Sequence, residues 1–572
     1  MTDTKLIKLR EQEYAHLEKI GMDILNKIKE VSDAVSPCKI FCISYLAYLA
    51  AENRLKDTKS LIRFAEENIP EGQRVFIEKN IDDLWWLAVK LGSTYTGENM
   101  AAVLLWFPMS MNQSDSIDTP ESIIKLANRL LEGTNESVAD FCCGWGQFLL
   151  EALGREDDSS YFGIELDTEC KEIATIRMGI ASSDKAEINQ GSVFALGGDK
   201  KFDKIFCDYP WGLKKSDIQI NEEILDRLAD MIPELRKTSS TDWLFIANVA
   251  YHLRDGGRAV VVIPSSMALN GGVNAEVREK FIMLGLLEAV ISLPAKLYKS
   301  TSMTKSILVL SHNNKTVRMI DAASMASAGK KQNVISDEAA AEIVSLMERD
   351  AANSVNVSFD ELEKCGYAIN PSKYFNIGKE VKNGVEFNEV IRKMTRGTQI
   401  KASELYDLMV DTPTNVQYLM LTNIQDGIIC GELPYLKGME KKQEKYCVKD
   451  KSLLISKSGT PVKVAVASVQ EGHKILANGN LYVIELDEKK VNPYFLKAYF
   501  ESKDGNNALS NIMVGATIPN IPVDSLRKIK IPLPSMEEQN VIADKYLAKM
   551  DVIKTLKERL AEEMEELKSI YE

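Results

Sequence analysis

Val138 to Leu153, VADFCCGWGQFLLEAL, reads as an apolar strand that breaks at a glycine turn and resumes as a helix. Gly144 and Gly146 lack a Cβ, so the backbone there can fold back tightly and let a ligand come close. In an open α/β sheet such a turn lies at the carboxyl edge of its strand, where cofactors bind. The pattern around it repeats. Val138 to Cys142, Tyr161 to Leu166, Lys204 to Asp208, Arg258 to Ile263, Leu287 to Leu293 and Ser306 to Ser311 are short β-rich runs. Helical stretches such as Glu169 to Ile180 and Trp243 to Leu253 separate them. This alternation predicts an α/β domain over residues 111–325 with a doubly wound, largely parallel, Rossmann-like sheet.

Working outward, residues 1–110 carry a helical habit: Leu6 and Leu9, then Leu17, Ile20, Ile24 and Ile28, recur at three- and four-residue steps, and Phe41 to Ala51 continues it. Residues 326–395 read as a helical connector, with Asp337 to Ala351 its clearest helix. A mixed α+β region rich in Gly and Asn turn signals spans 396–535. Residues 536–572 read as one long helix with an apolar stripe of Ile542, Tyr546, Met550, Ile553, Leu556, Leu560, Met564 and Leu567, which needs a partner helix. A chain of 572 residues is too long for one core, and about three or four folding units fit it.

Composition excludes several classes. With 45% hydrophobic and 27% charged residues the chain is a folded protein. No apolar run is long enough to cross a bilayer, and Met1 to Glu13 is too charged for a signal peptide, so a cytoplasmic protein with no membrane partner is expected. Nine cysteines without a CxxC pair point to reduced, mostly buried thiols. The four histidines, His16, His252, His312 and His473, stand far apart, which argues against a metal site or a histidine-based triad. A net charge of −13 argues against indiscriminate coating of nucleic acid. Local basic surface remains, above all Lys437, Lys441, Lys442, Lys445, Lys449, Lys451 and Lys457.

The candidate chemistry lies at the strand ends. YFGIELD ends on Glu165 and Asp167, about twenty residues beyond the glycines, where an acid accepts hydrogen bonds from ribose hydroxyls. No GxxxxGK phosphate loop occurs, which disfavours ATP; S-adenosylmethionine, with a ribose and no phosphate, fits better. The deciding element is KIFCDYPWG, Lys204 to Gly212. An amine conjugated to a purine is a poor nucleophile, so a methylase must accept its N–H hydrogen bonds during attack on the sulfonium methyl. Asp208 supplies one acceptor, the backbone carbonyl of Tyr209 or Pro210 a second, and Trp211 a flat face for a base flipped out of the duplex. A proline-terminated strand with a buried aromatic is the bland alternative. The order glycine turn, acidic strand end, then this tetrapeptide favours the catalytic reading.

In these blocks the chain resembles the modification subunit of type I restriction systems, within the N6-adenine methyltransferases that place cofactor motifs first and target recognition last. DTPESIIKLANRLL is similar to the family's opening segment, so Thr119 and Pro120 are implied to line the methionine end of the cofactor. DFCCGWGQFL stands at the family's glycine turn, which implies cofactor contacts from Asp140, Cys142, Gly144, Gly146 and Phe148, with Glu165 and Asp167 on the ribose. The blocks from Ala229 to Ile282 and from Leu286 to Ser311 continue the resemblance. The chain also departs from the pattern. Phe141 replaces a proline, Trp145 and Gln147 replace small residues, Tyr209 replaces the first proline of the catalytic tetrapeptide, and Ser192 stands where an acid usually reads the cofactor's adenine amine. The C-terminal region, from Tyr418 through the final helix, resembles half of a type I specificity subunit: one target-recognition domain and its long helix.

The resemblance implies site-specific transfer of methyl from S-adenosylmethionine to adenine N6 in double-stranded DNA, within a restriction-modification or defence system. It also implies pairing with a second copy, the favoured arrangement, or with a separate specificity subunit, and a restriction subunit is a further candidate partner. The alternative is a catalytically degenerate subunit that binds cofactor and DNA. A protein or RNA methylase would have no use for the specificity-like domain.

Overall fold

The computed structural model describes residues 18–569 apart from 29–36, 70, 107–118, 154–157, 182–184, 219, 300, 302, 330–331, 376–383, 426, 431–432, 460–461 and 514–519. Leu6, Leu9 and Leu17 of the expected helical pattern lie outside the described residues, as do the side chains of Leu560, Met564 and Leu567. The chain divides into two compact units, 1–371 and 372–572.

The first unit is built on a nine-stranded sheet. Its strands in chain order are β1 Ser137–Phe141, β2 Ser160–Glu165, β3 Ala186–Gln190, β4 Phe202–Cys207, β5 Leu253–Pro264, β6 Leu287–Ser292, β7 Lys305–Leu310, β8 Thr316–Asp321 and β9 Ser354–Ser358. They lie side by side as β9, β8, β6, β7, β5, β4, β1, β2, β3. The pairs among β1 to β5, and β6 with β8, are parallel, whereas β7 runs antiparallel between β5 and β6 and β9 antiparallel beside β8. From β1 the chain winds outward through β2 and β3, then returns to place β4 on the other side of β1. Strand order therefore reverses between β1 and β4, and the crevice beyond their carboxyl ends is where open α/β sheets take ligands.

All six strands read from the sequence are present. Their apolar runs follow from helices covering both faces, which buries successive side chains regardless of direction. Three strands were not expected: β3, β8 and β9. AEINQ of β3 and SVNVS of β9 are edge strands, half exposed and polar, and carry no apolar run. The stretch expected to be a helical connector has its helix at Asp337–Ser345, but it also supplies the sheet's edge strand β9.

Helices at 18–28, Pro37–Ala51, Thr58–Asn68, Glu71–Lys79, Ile81–Thr94 and Gly97–Trp106 precede the sheet. Pro37–Ala51 is apolar almost all round and buried from Cys38 to Leu49 apart from Lys39 and Tyr48, as expected of a central helix. The layer is tied to the helix Thr168–Ile180, where Gln73 Nε2 donates to Glu169 Oε1 at 3.0 Å.

The second unit holds a four-stranded antiparallel sheet ordered Ile391–Arg396, Leu481–Leu486, Leu453–Ser456, Val464–Val466, with the helix Pro493–Glu501 in the same core. A five-stranded sheet joins Val416–Leu419 to Lys474–Ala477 in parallel. The terminal helix Met536–Ser569 is seated at its start. Gln539 is fully buried; its Oε1 accepts from the Asn492 amide at 2.9 Å and its Nε2 donates to the Pro534 carbonyl at 2.9 Å.

Candidate active site

β1 and β4 stand in register, with Asp140 beside Phe206, and deliver Asp140 and Asp208 to one edge of the sheet. β2 delivers Glu165 one strand further out. Asp140 is 2% exposed, and burial, with Glu165 and Asp208 nearby, holds its carboxyl well above the usual carboxylate range. Among the described residues none of the three acids has a cation at ion-pair distance. Three acids at one edge, none of them in an ion pair among the described residues, suit a cationic ligand.

The glycine turn closes over this edge. Gly144 has φ +52° and its amide donates to Glu165 Oε2 at 2.8 Å; a Cβ built there would meet nothing within 4 Å. Gly146 has φ +75°, and a Cβ there would come within 3.1 Å of Met178 Cε. The first glycine thus opens onto free space and the second onto a helix. Cys142 also takes a left-handed φ of +67°. Glu165 Oε1 accepts from the Asp167 amide at 2.9 Å, so both of its oxygens brace the loop.

Asp208 follows β4. Its Oδ2 accepts from the Thr119 hydroxyl at 2.6 Å and from the Tyr298 hydroxyl at 2.7 Å. Its Oδ1 is cut off from solvent and has no partner among the described residues. Burial pushes the carboxyl up to about 6, against the two hydroxyl hydrogen bonds and the charge of Lys305. Tyr209 is 1% exposed and its ring stacks parallel on Phe245 at 4.7 Å, so its side chain belongs to the core and only its backbone is available. Pro210 is exposed. Trp211 is half-buried, meets Tyr298 edge-on at 5.0 Å, and has the Lys305 ammonium 3.0 Å from its ring centre.

Other residues expected at the cofactor also make packing or capping contacts. Phe148 is buried and stacks on Phe206 at 4.5 Å, which places its ring in the core and away from the open turn. Asp167 caps the helix Thr168–Ile180, accepting from the Cys170 amide at 2.8 Å. Ser192 caps a short turn through the Phe194 amide. Pro120 is buried before the helix Glu121–Leu130. Three departures also gain a physical account. Phe141 packs edge-on against Phe202 and His252. Trp145 packs against Phe41 of the helical layer, and Arg177 donates to the Trp145 carbonyl at 2.7 Å, to Gln147 Oε1 at 2.6 Å and to the Leu105 carbonyl. The larger residues at 145 and 147 therefore bind the glycine turn to the helices before it. Sequence reasoning missed Tyr298, Lys305 and Asp242, the last a half-buried acid at the start of the helix Thr241–His252. No local spacing marks any of them.

Residues 110–383 match the family described as N-6 DNA Methylase, and residues 411–566 match the Type I restriction modification DNA specificity domain. A segment similar to N-6 DNA methylases is thus followed in one chain by a segment similar to type I specificity domains. It is similar to the methylase subunit of a type I restriction enzyme from Mycoplasma pneumoniae, 25% identical over 284 residues that cover 45% of this chain and 52% of that protein. A type I methylase subunit from Methanocaldococcus jannaschii is 24% identical over 331 residues, 52% of this chain and 56% of that protein. A type I specificity subunit from Salmonella potsdam is 26% identical over 175 residues, 30% of this chain and 37% of that protein. The chain thus spans about half the length of these methylase subunits.

In the specificity domain the lysine run is less basic than its sequence. Lys442 pairs with Glu440 at 2.6 Å, Lys449 with Glu485 at 2.6 Å and Lys451 with Glu488 at 3.2 Å. All nine cysteines are free thiols; Cys38, Cys42, Cys143 and Cys207 are buried and the rest half-buried. Among the described residues no helix is long and apolar enough to cross a membrane.

Proposed function

We propose that this chain transfers a methyl group from S-adenosylmethionine to N6 of adenine in duplex DNA, at a site read by its own specificity domain. The observation that carries this reading is Asp208 Oδ1, a buried acceptor without a partner among the described residues, at the end of β4, in the Asp-Tyr-Pro-Trp turn beside the open glycine turn. A buried acceptor left unpaired costs roughly 1 to 3 kcal/mol, and a substrate amine would satisfy it.

The cofactor's charge supports the same reading. S-adenosylmethionine carries a sulfonium and an ammonium, and the acids Asp140, Glu165 and Asp208 converge with no cation at ion-pair distance among the described residues. Gly144 leaves room beside Glu165, which would accept hydrogen bonds from the cofactor's ribose hydroxyls. Bound there, the cofactor supplies an electrophilic methyl. Asp208 accepts one N–H of the target amine and orients its lone pair, while the Tyr209 or Pro210 carbonyl takes the second. Thr119 and Tyr298 hold the Asp208 carboxylate by its other oxygen, so Oδ1 stays aimed at the amine. Trp211 receives the flipped base on its ring. The substitutions at Trp145, Gln147 and Phe141 are absorbed by packing, which favours an active enzyme over a degenerate one. The same reading extends to assembly: the terminal helix pairs with an equivalent helix of a second copy.

The test is incubation of the protein with duplex DNA and methyl-labelled cofactor, followed by nucleoside analysis. N6-methyladenine is expected from the parent, and Asp208→Ala is expected to lose at least two orders of magnitude in rate while still binding cofactor. An Asp208→Ala protein as active as the parent would defeat the assignment.

A further inference from the structure

Lys305 opens β7 and is 1% exposed. Its ammonium has no ion-pair partner among the described residues. It stands 3.0 Å from the centre of the Trp211 ring and 3.4 Å from the Met303 sulfur. Lys305 is interior, so the ring face it covers is taken as the inward one. The carboxylates of Asp208 and Asp242 lie close enough to attract it, and each keeps a buried oxygen without a partner. A buried, unpaired ammonium is costly, and an apolar side chain would pack there more cheaply. Attraction to an indole face offsets part of that cost.

We propose that Lys305 is the positioning residue of the transfer site: its ammonium braces the inward face of Trp211 and keeps Asp208 in the ionised form that accepts the amine. This rests on the roles given above to Asp208 and Trp211. Burial drives Asp208 toward protonation, and Lys305 opposes it together with Thr119 and Tyr298. Lys305 is itself pushed down to about 8 by burial, against the attraction of Asp208 and Asp242. The other groups around the pair are Asp140 on β1, Cys207 on β4, Tyr209 after it and Tyr298 before β7. None of these is a cation, so among them Lys305 is the counter-charge.

The experiment replaces Lys305 with Met, of similar length and no charge, and follows single-turnover methyl transfer against pH. The acid limb is expected to rise by about one pH unit, a tenfold change in proton affinity, with a higher KM for DNA as Trp211 loses its brace. Lys305→Arg should bring the limb back. In parallel, carboxyl carbon resonances report the titration of Asp208 without any need for activity, and it should move up by the same amount in Lys305→Met. An unchanged limb together with an unchanged titration would overturn the proposal. If Lys305→Met does not fold, Asp208→Asn serves: Lys305, deprived of an attracting carboxylate, should titrate lower, and an unmoved Lys305 would overturn it equally. A parent protein that methylates no DNA defeats the functional reading instead, and the two titrations still decide the role of Lys305.

Discussion

Gly144 and Gly146 sit two residues apart in the same turn, both at positive φ, yet they face different neighbours. A side chain at either costs roughly 1 to 2 kcal/mol of backbone strain. Beyond that, Gly144→Val fills open space, so cofactor affinity should fall sharply while stability falls by no more than the shared strain. Gly146→Val must displace Met178 and should unfold well below the parent. Calorimetric cofactor titration beside thermal melts separates the two; equal losses of stability would refute the distinction. Asp208 carries a second consequence. Its folded value of about 6 lies above the unfolded value near 4. The folded state then holds its proton more tightly, so this group's stabilisation is full below pH 4 and is lost as pH rises through 6. Asp208→Asn should therefore be more stable than the parent at pH 8, by about 3 kcal/mol, and less active. Denaturant unfolding at pH 4 and 8 checks the sign. Asp208 and Glu165 were legible as acids at strand ends. Asp167 looked the same in the sequence and is a helix cap, because residue type does not reveal which backbone amide a carboxylate will meet.

At the scale of elements, the joint between the helix Thr241–His252 and β5 turns on His252. It is fully buried, its Nδ1 lies 2.7 Å from the Lys200 carbonyl, and burial pushes it down to about 4. A histidine held neutral in the fold adds stability above its unfolded value near 6.5. That contribution is lost as pH falls toward 4, by about 3 kcal/mol in all. His252→Phe, which keeps an aromatic beside Phe141, should lose the carbonyl hydrogen bond yet show a flatter dependence of stability on pH from 6.5 to 4. A slope identical to the parent's would rule His252 out as the sensor. The six buried strands were readable because strands covered on both faces are apolar throughout. β3 and β9 were not, because an edge strand half in solvent is written in polar residues that a loop could equally use.

For the whole molecule, the terminal helix raises the question of a partner. Its base is seated through Gln539 and Ala543, but Val541, Ile542, Val552, Ile553 and Leu556 are exposed. Apolar surface of this kind is unfavourable in water at about 25 cal/mol per Å². We expect the full-length chain to sediment as a dimer at micromolar concentration, and a chain ending after Met550, which keeps Gln539 and Ala543 in place, to sediment as a monomer. A full-length monomer under those conditions would remove the homodimer and favour a separate specificity subunit. The sequence by itself determined the alternation of strands and helices, the glycine turn, the Asp-Tyr-Pro-Trp turn and the apolar stripe of the last helix, because each depends on periodicity or backbone freedom over a few residues. Only the tertiary structure decided which acids cap a helix and which gather at the open edge of the sheet. It alone brought Thr119 and Tyr298 to Asp208 across 89 and 90 residues of chain, and Lys305 to Trp211. Such meetings are set by the order of strands in the sheet, and no local spacing encodes that order.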